Sequence, residues 1–214
     1  MELVRLAGSL LALVVATGLI AAVASAGADF GAVQLGTDPA AVRKIVRKTE
    51  KRRALRRGLW ADYAFIGAYW LAFVAVAVLL AHRGGWGRWV GAVAVLAATA
   101  TALLDVTENI RTFGVLGRHR PHDVLPVMQL RELRRASLTK WGASALSFAL
   151  AAPLFVQHGR IVWVAVALLV LALVGLAGLL WRPLLRLFML ADALLAGAIA
   201  VLFLVWPHAV LWGL

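Results

Sequence analysis

The stretch Leu103-Leu104-Asp105-Val106-Thr107-Glu108-Asn109-Ile110-Arg111 puts two carboxylates and an amide at the end of a segment that otherwise reads as a transmembrane helix. Removing a carboxylate from water is costly unless it is neutralised or paired, so an acid inside a membrane segment marks a candidate functional site. Asp105, Glu108 and Thr112 recur at helical spacings of three and four. Thr101 lies one turn before Asp105 and Asn109 one turn after it, so the five share one polar face. Asp62, Phe65, Ile66 and Tyr69 share a face of the preceding apolar helix in the same way. If those faces oppose each other, Asp62, Tyr69, Asp105, Glu108, Asn109 and Asp192 line one cavity, with Arg111 and Lys140 as the nearest cations.

Carboxylates clustered in a low dielectric raise one another's pKa, so one could hold a proton as general acid while another serves as base. An enzyme of this kind would give acid/base work to Asp105 and Glu108, with Asp62 or Asp192 tuning them. Tyr69, Asn109, Asp192, Arg111 and Lys140 would contact the ligand. The same groups could carry protons or cations in a transporter, or hold a divalent metal through oxygen. They could also pair with Arg111, Lys140 and one another merely to fix helix packing, as in a non-catalytic accessory subunit of a membrane complex.

Composition identifies the elements that position these residues. Of 214 residues 63% are hydrophobic, and mean hydropathy is +0.89, values that several transmembrane helices produce and a soluble domain does not. Six apolar windows, uncharged but for Asp105 and Glu108 in the third and Asp192 in the sixth, are long enough to cross the hydrocarbon: Leu6 to Ala28, Tyr63 to Ala81, Trp89 to Ile110, Trp141 to Val156, Ile161 to Trp181 and Leu187 to Trp206. Trp60, Trp86, Trp89, Trp141, Trp163, Trp181, Trp206 and Trp212 fall mostly at their ends, as an aromatic belt requires. The expected fold is all-α, a six-transmembrane-helix bundle forming a single domain over residues 1–214. There is no cysteine, which excludes disulfides, thiolate metal sites and thiol catalysis. The abundance of Arg, Ala and Val fits a GC-rich bacterial genome.

Arg5, an apolar run and Ala24-Ser25-Ala26 imitate a cleavable signal. Charge argues for retention. With all six spans kept and both termini outside, eighteen Lys and Arg lie on the inner side and four (Arg5, Arg83, Arg88 and Arg160) on the outer. This predicts a multi-pass protein of a bacterial inner membrane, and the net charge of +12 then follows topology instead of marking a nucleic-acid surface.

Two connections on the inner side are expected to be structured. In residues 37–58, Thr37-Asp38-Pro39 supplies an N-cap and a proline at the first helical position. Val42, Ile45, Val46, Leu55 and Leu59 then form an apolar stripe among Arg and Lys, the pattern of a basic interfacial helix on anionic lipid. In residues 114–139, Gly114, Gly117 and Pro121 precede a second such helix from Val124 to Leu138. Between them Arg118-His119-Arg120-Pro121-His122-Asp123 could hold metal or phosphate, although the proline argues against a helical histidine pair. His82, His158 and His208 sit at outer ends of spans, beside interfacial water or headgroups.

Depth sharpens the cluster. Arg88 and Arg111 are 23 residues apart, about 34 Å of helix, which puts them at opposite interfaces. Counted from the basic boundaries, Asp105 and Asp192 lie about 9 Å inward, Asp62 about 7 to 8 Å and Glu108 about 4 to 5 Å, all in the inner half. The outer halves carry almost no ionisable groups, which favours lipid or isoprenoid chemistry over a transmembrane route. A hydrophobic or amphiphilic small molecule and anionic lipids are the expected partners, the sequence names no cofactor and no metal-ligand set, and assembly into a homo- or hetero-oligomer is compatible with the sequence.

Trp60-Ala61-Asp62-Tyr63-Ala64-Phe65-Ile66-Gly67-Ala68-Tyr69, the Asp105-x-x-Glu108-Asn109 signature and Lys140-Trp141 resemble a group of uncharacterised bacterial integral membrane proteins. The resemblance runs from about Thr37 to Ser147. It implies that Asp62, Tyr69, Asp105, Glu108, Asn109 and Lys140 belong to one site, and it brings no reaction with it.

Overall fold

The structure is a computed structural model that describes residues 2–26, 30–80, 86–118, 120, 123–156 and 162–207. Its regular elements are all α-helices: α1 (Glu2–Ala24), α2 (Phe30–Gln34), α3 (Pro39–Arg47), α4 (Thr49–Leu80), α5 (Trp86–Gly117), α6 (Val127–Val156), α7 (Val162–Leu180) and α8 (Arg182–Val205). The all-α expectation holds. Four of them, α1, α4, α5 and α7, are long and apolar enough to cross a membrane, and Leu190–Val205 in α8 is a shorter apolar stretch. Trp86, Trp89, Trp181 and Trp206 stay exposed near helix ends, where aromatic anchors belong.

Helix α3 begins as its sequence dictates, with Pro39 at the first position and the Asp38 side chain accepting from the Ala40 N–H at 2.9 Å. The basic segment 37–58 is nevertheless two helices. Lys48 takes an extended backbone, closes α3 through its N–H to the Ile45 carbonyl, and leaves α4 to start at Thr49. The expected apolar stripe is also turned inward: Val42, Val46, Leu55 and Leu59 are buried against Val33, Val115, Leu116, Leu125, Leu130 and Leu133. Those side chains cannot rest on lipid while they fill the protein's own core.

Segment 114–139 differs as well. Helix α5 runs on to Gly117, and α6 starts at Val127 and continues without a break through the apolar stretch after Lys140. No glycine or proline lies between Val127 and Trp141 to stop it, so the expected interfacial helix and the expected fourth span are one element.

The chain divides into two compact units, to both of which α1, α4, α5 and α6 contribute. The first unit comprises Met1–Ala16, Gly67–Ala102 and Trp141–Leu214. Its core joins Val4 and Ala7 to Leu79, Leu80, Leu154, Phe155, Val164, Leu168 and Phe203. At Gly8, α1 approaches α8 so closely that an added Cβ would stand 2.9 Å from Leu204 Cγ. Phe188 meets Trp141 and Phe148 edge-on, at centroid distances of 5.9 and 5.7 Å. The second unit comprises Thr17–Ile66 and Leu103–Lys140, with the core described for α3. It holds most of the candidate site.

Candidate functional site

Three helices bring polar side chains together inside the second unit. The buried face of α5 carries Asp105, Glu108, Asn109 and Thr112, the helical register read from their spacing. From α6 come Ser137 and Lys140, three residues apart and both buried. From α4 comes Asp62, which is half-buried.

Lys140 is the hub. Its Nζ lies 2.9 Å from Asp105 Oδ1 and 2.5 Å from Glu108 Oε2, so one ammonium serves two carboxylates. The Ser137 hydroxyl donates to the other Glu108 oxygen, Oε1. Glu108 has no exposed surface, and Asp105 and Lys140 keep less than a tenth of theirs. One helical turn on, Thr112 Oγ1 donates to the Glu108 carbonyl at 2.8 Å, tying off the backbone there. Such a pairing is what makes the burial of charge tolerable, since either carboxylate left alone would carry an uncompensated desolvation cost.

Asp62 closes the cluster on another side. Asn109 Nδ2 donates to Asp62 Oδ2 at 2.8 Å, and Asp62 lies within electrostatic reach of Lys140, Asp105 and Glu108. Among the described residues, the three carboxylates Asp62, Asp105 and Glu108 therefore lie around the Lys140 ammonium. Beside Asp62 in the chain, Tyr63 stacks on Phe113 at a centroid distance of 6.5 Å, and exposed Trp60 packs against both rings.

Asp62, Asp105, Glu108, Asn109 and Lys140 are thus brought together. Arg111 is not. It is exposed, its guanidinium donates to the Glu132 carbonyl at 3.0 Å, and its Nη1 sits 3.9 Å from the Glu132 carboxylate. The neighbouring Thr112 holds the inward direction, and a step of one residue rotates a side chain by about 100° around the helix. Tyr69 on α4 and Asp192 on α8 belong to the first unit, where both are partly buried. His119, Pro121 and His122 lie outside the described residues, as do His82, His158 and His208. Asp123, from the same motif, accepts from the Arg120 backbone N–H at 2.8 Å.

Ser137 was not among the expected site residues. Its signal was available, because it precedes Lys140 by three residues and so shares its helix face.

Asp105 and Glu108 are packed against Lys140. Two clefts in this unit lie elsewhere: one lined by Pro39, Ala40, Arg43, Lys44, Arg47, Val124 and Leu125, the other by Leu104, Thr107, Arg111, Glu132, Arg135, Ala136 and Thr139. Among the described residues no group of three His, Cys, Asp or Glu is placed to hold a metal ion. Between Asp105 and Glu108 the position a cation would take is filled by the Lys140 ammonium. A scan of the sequence against protein-family models gives no match, and searches of curated proteins and of solved structures give none.

Proposed function

We propose that this protein is a multi-pass enzyme of a bacterial inner membrane that acts on a lipid or isoprenoid substrate, with Asp62 as the acid/base that meets it. One observation carries the reading: of Asp62, Asp105 and Glu108 it is Asp62 that is not fully buried, and it lies within electrostatic reach of a buried ammonium held by the other two acids. Glu108 is locked by Ser137 and Lys140 and reaches no surface, so it acts as a positioning residue. Asp105 shares that task. This exchanges the roles that the sequence suggested for Asp62 and its two neighbours. The rings of Trp60 and Tyr63, close to Asp62 in the chain, and of Phe113, which packs against both, suit a hydrocarbon substrate.

The same reading takes six crossings, with both termini on the outer face. The uncharged stretch of α6 from Trp141 to Val156 supplies one of the two beyond the four long apolar helices, and α8 the other. The surplus of Lys and Arg on the connections between spans supports that orientation.

Proton-coupled transport is the second reading. It is favoured by the excess of carboxylates over ammonium, since a proton or a cationic solute would balance the cluster. Lipid extracts from cells expressing wild-type, Asp62→Asn and Glu108→Gln proteins separate the two. A lipid species that accumulates when Asp62 is replaced supports the enzyme. Unchanged lipid profiles, together with a proton flux in proteoliposomes that Asp62→Asn abolishes, would replace it with transport.

A further inference from the structure

The cleft beside α3 is not part of the carboxylate cluster, and its lining is chemically divided. Arg43, Lys44 and Arg47 stand on one wall, and Val124 and Leu125 on the other, around a volume of about 590 Å³. Helix α3 cannot rotate to move its cations elsewhere, because Val42 and Val46 on its opposite face are each only 1% exposed in the core of the unit. The Asp38 cap fixes where the helix starts. The cations are therefore held at the cleft by packing.

The apolar wall is exposed in a way that water does not favour. Val124 is 70% exposed, and Val127 and Met128 follow it on the surface at the start of α6. Arg131, Arg134 and Arg135, also exposed, continue that helix. A free aqueous anion would gain from the cations and nothing from Val124 and Met128. An anion joined to acyl chains would gain from both. The volume lies in the range of sites that hold a small polar group with some of its attached carbon.

We propose that this cleft binds the headgroup of an anionic phospholipid, with Arg43, Lys44 and Arg47 on the phosphate and Val124 against the glycerol and first acyl carbons. The acid/base chemistry proposed for Asp62 is not required for this, and either assignment can fail without the other.

The full chain in detergent micelles, titrated with phosphatidylglycerol or phosphatidylcholine and followed by native mass spectrometry, tests it. Arg43→Gln/Lys44→Gln/Arg47→Gln is expected to weaken phosphatidylglycerol binding at least about tenfold, from three lost contacts to the phosphate. The charge-matched Arg53→Gln/Arg56→Gln/Arg57→Gln, whose side chains are exposed on α4 and do not line the cleft, is expected to weaken it by less than about threefold. Val124→Asp, at a side chain that is 70% exposed, is expected to reduce binding while leaving the thermal midpoint unchanged, so the result does not depend on how the triple variant folds. Equal losses in the two triple variants, equal binding of phosphatidylcholine, or retained binding by Val124→Asp would overturn the proposal. Displacement of phosphatidylglycerol by millimolar inorganic phosphate would likewise show a simple anion site and overturn the lipid assignment.

Discussion

Lys140 Nζ lies 2.9 Å from Asp105 Oδ1 and uses the same charge to hold Glu108, which has no exposed surface. Removing that one ammonium takes the paired positive charge from two carboxylates at once. Lys140→Met is expected to destabilise the protein by about 3 to 5 kcal/mol, the cost of breaking a buried pair from one side. Adding Asp105→Asn and Glu108→Gln removes those two negative charges, so the triple variant is expected to recover more than half of the loss. Thermal or denaturant unfolding in micelles measures both, and a triple variant no more stable than Lys140→Met would refute the charge argument.

Ser137→Ala takes away the hydroxyl that donates to Glu108 Oε1 and leaves a buried acceptor without it. A loss of about 1 to 3 kcal/mol is expected. Thr139→Ala is the comparison on the same helix. Its hydroxyl is exposed and donates back to the Arg135 carbonyl of the preceding turn at 2.8 Å, so its removal should change stability by less than about 0.5 kcal/mol. Equal effects in an unfolding assay would show that the Glu108 contact is energetically idle.

Arg111→Gln is expected to cost less than about 1 kcal/mol, because its 3.9 Å contact with Glu132 is between side chains 41% and 55% exposed. It should also leave any activity that depends on Asp62 intact. A loss comparable to that of Lys140→Met would mean that Arg111 reaches the cluster after all.

Gly58 is where α4 passes Phe30 and Ser25. A Cβ built there would stand 2.7 Å from Phe30 Cε2 and 2.8 Å from Ser25 Cβ. Gly58→Ala is therefore expected to destabilise by about 1 to 3 kcal/mol in spite of alanine's better helix propensity. In combination with Phe30→Ala the two costs should fall short of their sum by at least about 0.5 kcal/mol, since the ring that is struck has gone. Strict additivity in a double-mutant cycle would contradict the close approach.

Local periodicity carried much of this protein. The apolar runs specify helices, and the three- and four-residue spacing of Thr101, Asp105, Glu108, Asn109 and Thr112 specifies the face of α5 on which all five are buried. Asp38-Pro39 specifies the start of α3 just as directly. These are properties of a chain and its nearest turns, so the order of residues is enough to determine them.

Which surface each face meets is a different matter, and only the tertiary structure decided it. Arg111, three residues from Glu108, was as good a counter-ion on paper as Lys140 on another helix, yet packing of α5 against α6 turned Arg111 outward and delivered Lys140. Val42, Val46, Leu55 and Leu59 make an apolar stripe that would suit a lipid surface, and the fold gave them Leu130 and Leu133 instead. Hydrophobic burial is non-directional, so a stripe records that it must leave water without recording what will cover it. The pairing of ions across helices depends on positions a few tenths of an ångström apart, which no spacing along one strand of sequence contains.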